Sequence, residues 1–345
     1  MKRKNILSIL LCLVLVVSTS VGYVLAENMI TGKELIVART MDEPYDFPIK
    51  KGTDEWAALT TIHDKIGACQ IPEDILTRLT TEALIETVRN YPLGVNIFAY
   101  DSIDMGYEKV KSQFNGLAEL EKRMLEENAT TAAILDEYAM QTVDKGENAE
   151  FEDCFIDTVR GCINKNTTGL EIAGTGTEEP LSVQASSTYV RTPNGTQVEA
   201  IKGLTWNDWY VNSNGQITKA SVQLAHEEVQ ETYPSVTYVS GAGINPAYNC
   251  HSYAWYSTST SNSYWINDPS NYILDGSYVE ASYYHVGAKI LYGTPGNQPE
   301  HSAIVSAVSD YHLTYVTSKW GCMGVYKHLY YDCPYESGIK KYHQN

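Results

Sequence analysis

Tyr248-Asn249-Cys250-His251-Ser252-Tyr253-Ala254-Trp255-Tyr256 is the stretch on which the reading of this chain turns. Just before it, Gly241, Gly243, Asn245 and Pro246 enforce a loop. Ala254, Trp255 and the aromatic spacing suit the opening turns of a buried helix, which predicts Cys250 at a helix N-terminus. There the helix dipole favours a thiolate. An ordinary thiol is mostly protonated at neutral pH, so a nucleophilic cysteine needs that position and a nearby imidazole as well.

Toward the C-terminus, Glu300-His301-Ser302-Ala303-Ile304-Val305 reads as a short apolar strand headed by histidine. Gly287 to Tyr292 reads as the strand before it, across the turn-rich Gly293-Thr294-Pro295-Gly296-Asn297, and Leu313 to Trp320 as the strand after it. With Ser309 to His312 as the turn, His301 falls opposite Trp320 or, after a one-residue slip, opposite Lys319. Ser318 or Lys319 then neighbours the imidazole. Only Ser318 can accept a proton from it, so Ser318 is the expected third member beside Cys250 and His301, with Asn249, Asp268 and His328 as alternatives. His312 would sit about 25 Å away at the far end of the strand. The Cys250 N–H with Tyr248 or Asn249 is the expected oxyanion site, and His251 is an adjacent donor or a surface residue.

A lone buried cysteine is more often inert than reactive, and it is the histidine-headed strand that moves the balance toward chemistry. The dense tyrosine and tryptophan of this half read as core before they read as a ligand groove. No pair shows Cys-x-x-Cys spacing, so no structural metal is expected, and hydrolysis by a thiol would need no cofactor.

Toward the N-terminus the composition changes. Residues 166–187, around Gly174-Thr175-Gly176-Thr177-Glu178-Glu179-Pro180, read as a linker. Residues 27–165 read as a helical domain, with one apolar face in each segment (Trp56, Leu59, Ile62, Ile66), a helix starting at Thr80-Thr81 and ended by Pro92, and a longer helix from Gly106 to Glu127. Residues 188–345 form the second expected domain, entered by a hairpin whose turn is Pro193-Asn194-Gly195. The first 26 residues combine Lys2-Arg3-Lys4, an apolar run and a small-residue ending at Ala26, which predicts a cleaved export signal and a secreted product with no stable membrane insertion. Export permits disulfides; Cys322 with Cys333, or Cys154 with Cys162, are near enough in sequence to pair. Loss of the three basic residues takes the formal charge from -17 to -20. Such acidity argues against nucleic acid as a partner and fits poorly with clinging to an anionic wall.

The Asn-Cys-His-Ser-Tyr-Ala-Trp string resembles the start of the nucleophile helix in NlpC-type peptidoglycan endopeptidases. Gly287 to Tyr292 followed by His301-Ser302-Ala303-Ile304-Val305 is similar to the paired strands of those enzymes and of the CHAP amidases. Ala288 stands where those families carry aspartate. The resemblance covers residues 240 to 330, and the wider chain is similar to a group of secreted bacterial proteins with a helical N-terminal region. It implies an α+β fold, a helical N-terminal domain followed by a papain-like domain whose nucleophile helix packs on an antiparallel sheet. It also implies Cys250 as nucleophile, His301 as base, and a peptide or peptidoglycan stem as substrate. The acidic charge keeps two alternatives open: a peptidase or amidase acting on soluble polypeptides, and an inactive binding protein on the same fold.

Overall fold

A computed structural model describes residues 40–127, 132–138, 150–168, 185–206, 218–309, 313–336 and 338–345. The leader read at residues 1–26 and most of the stretch read as a linker lie outside them. Among the described residues no helix is long and apolar enough to cross a membrane.

The fold is mixed α+β: helices fill the first half and antiparallel sheets the second. Polar caps set the helix starts. Thr61, Thr80 and Ser102 each accept a backbone N–H from the first turn of the helices Ile62–Ala68, Thr81–Arg89 and Ile103–Gln113. The single helix expected from Gly106 to Glu127 is two, Ile103–Gln113 and Asn115–Glu127. Phe114 breaks it in an extended conformation, with its ring stacked on Tyr91 at 4.1 Å. Asn115 secures the break by exchanging hydrogen bonds with the Ile71 backbone.

The main sheet has seven strands in the order β3-β9-β8-β7-β6-β10-β5, namely Thr237–Tyr238, Val325–Leu329, Thr314–Lys319, His301–Val308, Lys289–Tyr292, Ile339–Gln344 and Tyr278–Glu280. A smaller sheet joins the hairpin β1 (Ser186–Arg191) and β2 (Gln197–Lys202) to β4 (Tyr264–Trp265). Ile304 pairs with Thr317 and Val305 with Val316, a register that, carried back along β7, sets His301 level with Trp320 as expected. A bulge between Val305 and Ala307 interrupts the ladder away from that end.

Alternation along β7 divides the sheet into two buried faces. Ala303 and Val305, with Val316 and Tyr326 alongside, belong to a large core that also holds Trp56 and Phe98 of the helical half and Val229 of the helix Lys219–Thr232. Ser302 and Ile304 point the other way, toward Trp255 and the small sheet. Residues 41–345 accordingly form one compact unit, and the core runs across the composition change at residues 166–187. Buried polar ties cross the same line. Lys65 Nζ meets Asp332 Oδ1 at 2.6 Å, Trp56 Nε1 donates to the Thr232 carbonyl, and Tyr335 Oη donates to the Ala99 carbonyl.

Among the described residues, Cys69, Cys154, Cys162, Cys250, Cys322 and Cys333 all carry free thiols. Cys154 and Cys162 lie on one helix, Phe151–Thr168, eight residues and so about 12 Å apart along its axis. Strand β9 separates Cys322 from Cys333. Sequence proximity misleads at both pairs because a regular element holds the two thiols apart.

Candidate active site

Asn249 builds the helix start at Cys250. Its Oδ1 accepts the Ser252 N–H at 3.1 Å, and its carbonyl accepts the Tyr253 N–H at 2.9 Å. It is thus the N-cap, and Cys250 is the first helical residue. The turn then widens over Ser252–Tyr256 into a π-helical one, closed by the Ser257 N–H on the Ser252 carbonyl. Asn249 Oδ1 also accepts from Ile266 N, and its Nδ2 donates to the Ile266 carbonyl and to Asp101 Oδ2, each at 2.7 Å. Its side chain is fully engaged and holds no free donor for an oxyanion. Tyr248, its neighbour, is buried with its ring 5.3 Å from Lys319 Nζ, and burial pushes its phenol up to about 12.

Cys250 is 1 % exposed. Burial, and then the Asp101 carboxylate, push its thiol well above the ordinary range, while the backbone amides of Ser302 and His251 and the Lys319 ammonium pull the other way. Its thiol donates to Asp101 Oδ1 at 4.0 Å. No hydrogen bond joins Cys250 to His301. His301 lies flat against Tyr335, ring centroids 3.5 Å apart, and its buried Nε2 has no hydrogen-bond partner. Burial, and then His328 and His251, hold its pKa well below the ordinary imidazole value. Burial, and then charge on Cys250, push the phenol of the same Tyr335 well above its ordinary value.

Ser318 does not bond to His301. Its hydroxyl accepts Trp320 Nε1–H at 3.0 Å and donates to His328 Nε2 at 2.8 Å, while His328 Nδ1–H donates to the Leu329 carbonyl. The other face of the sheet repeats the pattern. Ser302 Oγ accepts Trp255 Nε1–H and donates to His251 Nδ1, each at 2.8 Å, and His251 Nε2–H donates to the Pro299 carbonyl. A carbonyl accepts only, which fixes the tautomer in each case. Burial lowers both imidazoles to about 4, so both are neutral struts. Asp268, another residue considered for orienting the base, accepts from Ser270 nearby in sequence.

Asp101, which no motif announces, and Lys319, already expected beside His301, complete the cluster. Asp101 lies between the helical segment Gly94–Phe98 and the Ser102 cap; the residue keeps some water contact while its carboxyl is enclosed, and burial raises it to about 7 against the opposing pull of Asn249 and Lys319. Lys319 is fully buried, donates to the Gly321 and Met323 carbonyls at 2.6 Å each, and is lowered by burial to about 8. The sequence around Asp101 signals only a helix cap, which is why it escapes a reading of the chain alone. Asp101, Cys250 and His251 present donor atoms within 4.8 Å of one another. The set fits a metal poorly, since both His251 nitrogens are committed, the thiol is held protonated and Lys319 adds positive charge.

No protein-family model, curated protein or solved structure matches this chain. The site therefore has to be read from its own chemistry. It offers a thiol at a helix N-terminus with two backbone amides acting on the sulfur, a carboxyl in contact with it, and an imidazole nitrogen left without a partner.

Proposed function

We propose that this chain is a secreted cysteine-dependent amide hydrolase of the papain-like kind, with Cys250 as nucleophile and a peptide or peptidoglycan stem as substrate. The observation that carries this reading is the placement of Cys250 Sγ at a capped helix start, where the His251 and Ser302 amides favour its anionic form. Attack on an amide carbonyl there gives a thioacyl enzyme, and water releases the acid. Two groups could receive the thiol proton: Nε2 of His301, expected from the sequence and unpartnered, and Asp101 Oδ1. The acidic surface favours soluble polypeptides alongside wall peptides as the substrate to try.

The test is release of fragments from fluorescent casein and from purified peptidoglycan sacculi by the full secreted chain and by Cys250→Ala. Turnover lost in the variant supports the reading; no release in either assay, or equal release by both proteins, sinks it. One observation favours a binding protein instead: the thiol is enclosed and its pKa is raised at rest. That alternative expects no turnover and an unchanged fold in Cys250→Ala.

A further inference from the structure

Amide hydrolysis by a thiol needs a group that takes the S–H proton and returns it to the leaving amine. Imidazole is the usual choice, but the three imidazoles around this site are poorly suited. His251 and His328 have both nitrogens bonded, and His301 makes no hydrogen bond to the sulfur. Asp101 differs on each count. One oxygen is fixed by Asn249, the residue that also caps the nucleophile helix, and the other accepts the thiol of Cys250. The carboxyl and the sulfur are thus held in register by a single side chain.

Resting on the hydrolase reading, we infer that Asp101 is a catalytic residue of this site, exchanging a proton directly with Cys250 Sγ. In the first half-reaction the S–H proton passes to Asp101 Oδ1 as the S–C bond forms and the carbonyl π pair moves onto oxygen. The pair returns, the C–N bond breaks, and the departing nitrogen takes the proton from Asp101. Water then attacks the thioester carbon and gives a proton to Asp101; the S–C bond breaks, and Asp101 returns that proton to the thiolate. The sum is amide plus water to acid plus amine.

The surroundings suit the role. From the nucleophile helix Cys250, His251 and the neutral Asn249 face Asp101; from the end of β8 comes Lys319 and from the turn after it Cys322; from the C-terminal segment comes Tyr335. Lys319 is the cation of the group, and it favours the ionised form of both Asp101 and Cys250. A carboxyl raised to about 7 is far closer to a thiol in basicity than a free aspartate, and closer than His301, which burial drives the other way. Placing Asp101 in the helical half also gives that half a chemical reason to pack on the sheet.

Asp101→Asn separates this role from a structural one because its two readouts move in opposite directions. Removing the carboxylate lifts its repulsion of the thiolate, so the pH midpoint of iodoacetamide alkylation at Cys250 should fall by about one unit or more. Amide turnover should fall about 100-fold or more, while the acylation burst with a p-nitrophenyl ester, whose leaving group needs no proton, should persist. Asp101→Glu keeps the carboxylate and should keep the alkylation midpoint near that of the wild type. An unmoved midpoint in Asp101→Asn, or equal loss of ester burst and amide turnover in a folded variant, overturns the proposal. A shifted midpoint in a protein that never hydrolyses amides would sink the hydrolase reading while leaving the thiol–carboxyl pair in place.

Discussion

Ser302 and Ser318 show how much a single hydroxyl can organise. Each links a buried indole N–H to a buried imidazole, and each imidazole passes its remaining proton to a backbone carbonyl, Pro299 in one case and Leu329 in the other. The Ser302 relay ties the helix that begins at Cys250 to the loop that leads into His301, whereas the Ser318 relay braces the opposite face of the sheet. Replacing either serine by alanine strands a donor and an acceptor out of reach of water. Each variant should therefore lose about 2–4 kcal/mol in urea unfolding. A loss under about 0.5 kcal/mol would mean that water enters and satisfies the stranded groups.

Elements reveal what the sequence could and could not convey. The β7–β8 pairing near His301 was legible because alternation fixes which residues share a face, although the Val305–Ala307 bulge was not, and the helix start at Cys250 was legible because the loop before it carries Gly and Pro. The roles of Ser318 and Asn249 were not legible. Facing the right strand does not say which of several buried partners a hydroxyl chooses, and a cap and an oxyanion donor look alike in a sequence. Asp101 was invisible for a further reason, since its partner lies 149 positions away and only the packed core brings them together. Gly321 is the element that enforces this meeting. It adopts φ +45°, and a Cβ there would lie 2.6 Å from both the Phe98 and Tyr100 carbonyls, on the segment that delivers Asp101. Gly321→Ala should push that segment off the sheet. We expect a cost of about 1–3 kcal/mol in urea unfolding together with faster alkylation of Cys250 as the carboxyl withdraws. A lowered stability with an unchanged alkylation rate would show that Asp101 does not depend on this contact.

The whole molecule is held across its two halves by apolar packing and by a few buried charges, and its response to pH reports on them. Lys65 and Asp332 are both almost completely buried, and Asp332 also accepts from Ser235. Lys65→Ala leaves that carboxylate without its ion partner, and a loss of about 3–5 kcal/mol in a single cooperative transition is expected. Two transitions would mean that the halves unfold separately. Acid should act through the histidines. His251 and His328 are lowered to about 4 from an ordinary 6.5, so their contribution is complete above pH 6.5 and is lost as pH falls toward 4, when the unfolded chain binds protons that the folded one refuses. That loss is on the order of 3 kcal/mol for each imidazole by pH 4, and His301 acts in the same direction. Asp101 has the opposite sign. Its folded pKa of about 7 lies above 3.8, so its contribution is complete below pH 3.8 and is lost as pH rises through 7. The two histidine shifts together outweigh that of the Asp101 carboxyl, so the urea midpoint should fall between pH 7 and pH 4. Asp101→Asn removes one opposing group, leaving Glu228, whose carboxyl burial also raises, and the fall should become steeper in that variant. A midpoint that stays level or rises toward pH 4 would show that these imidazoles reach solvent and that the paired relays do not hold them neutral.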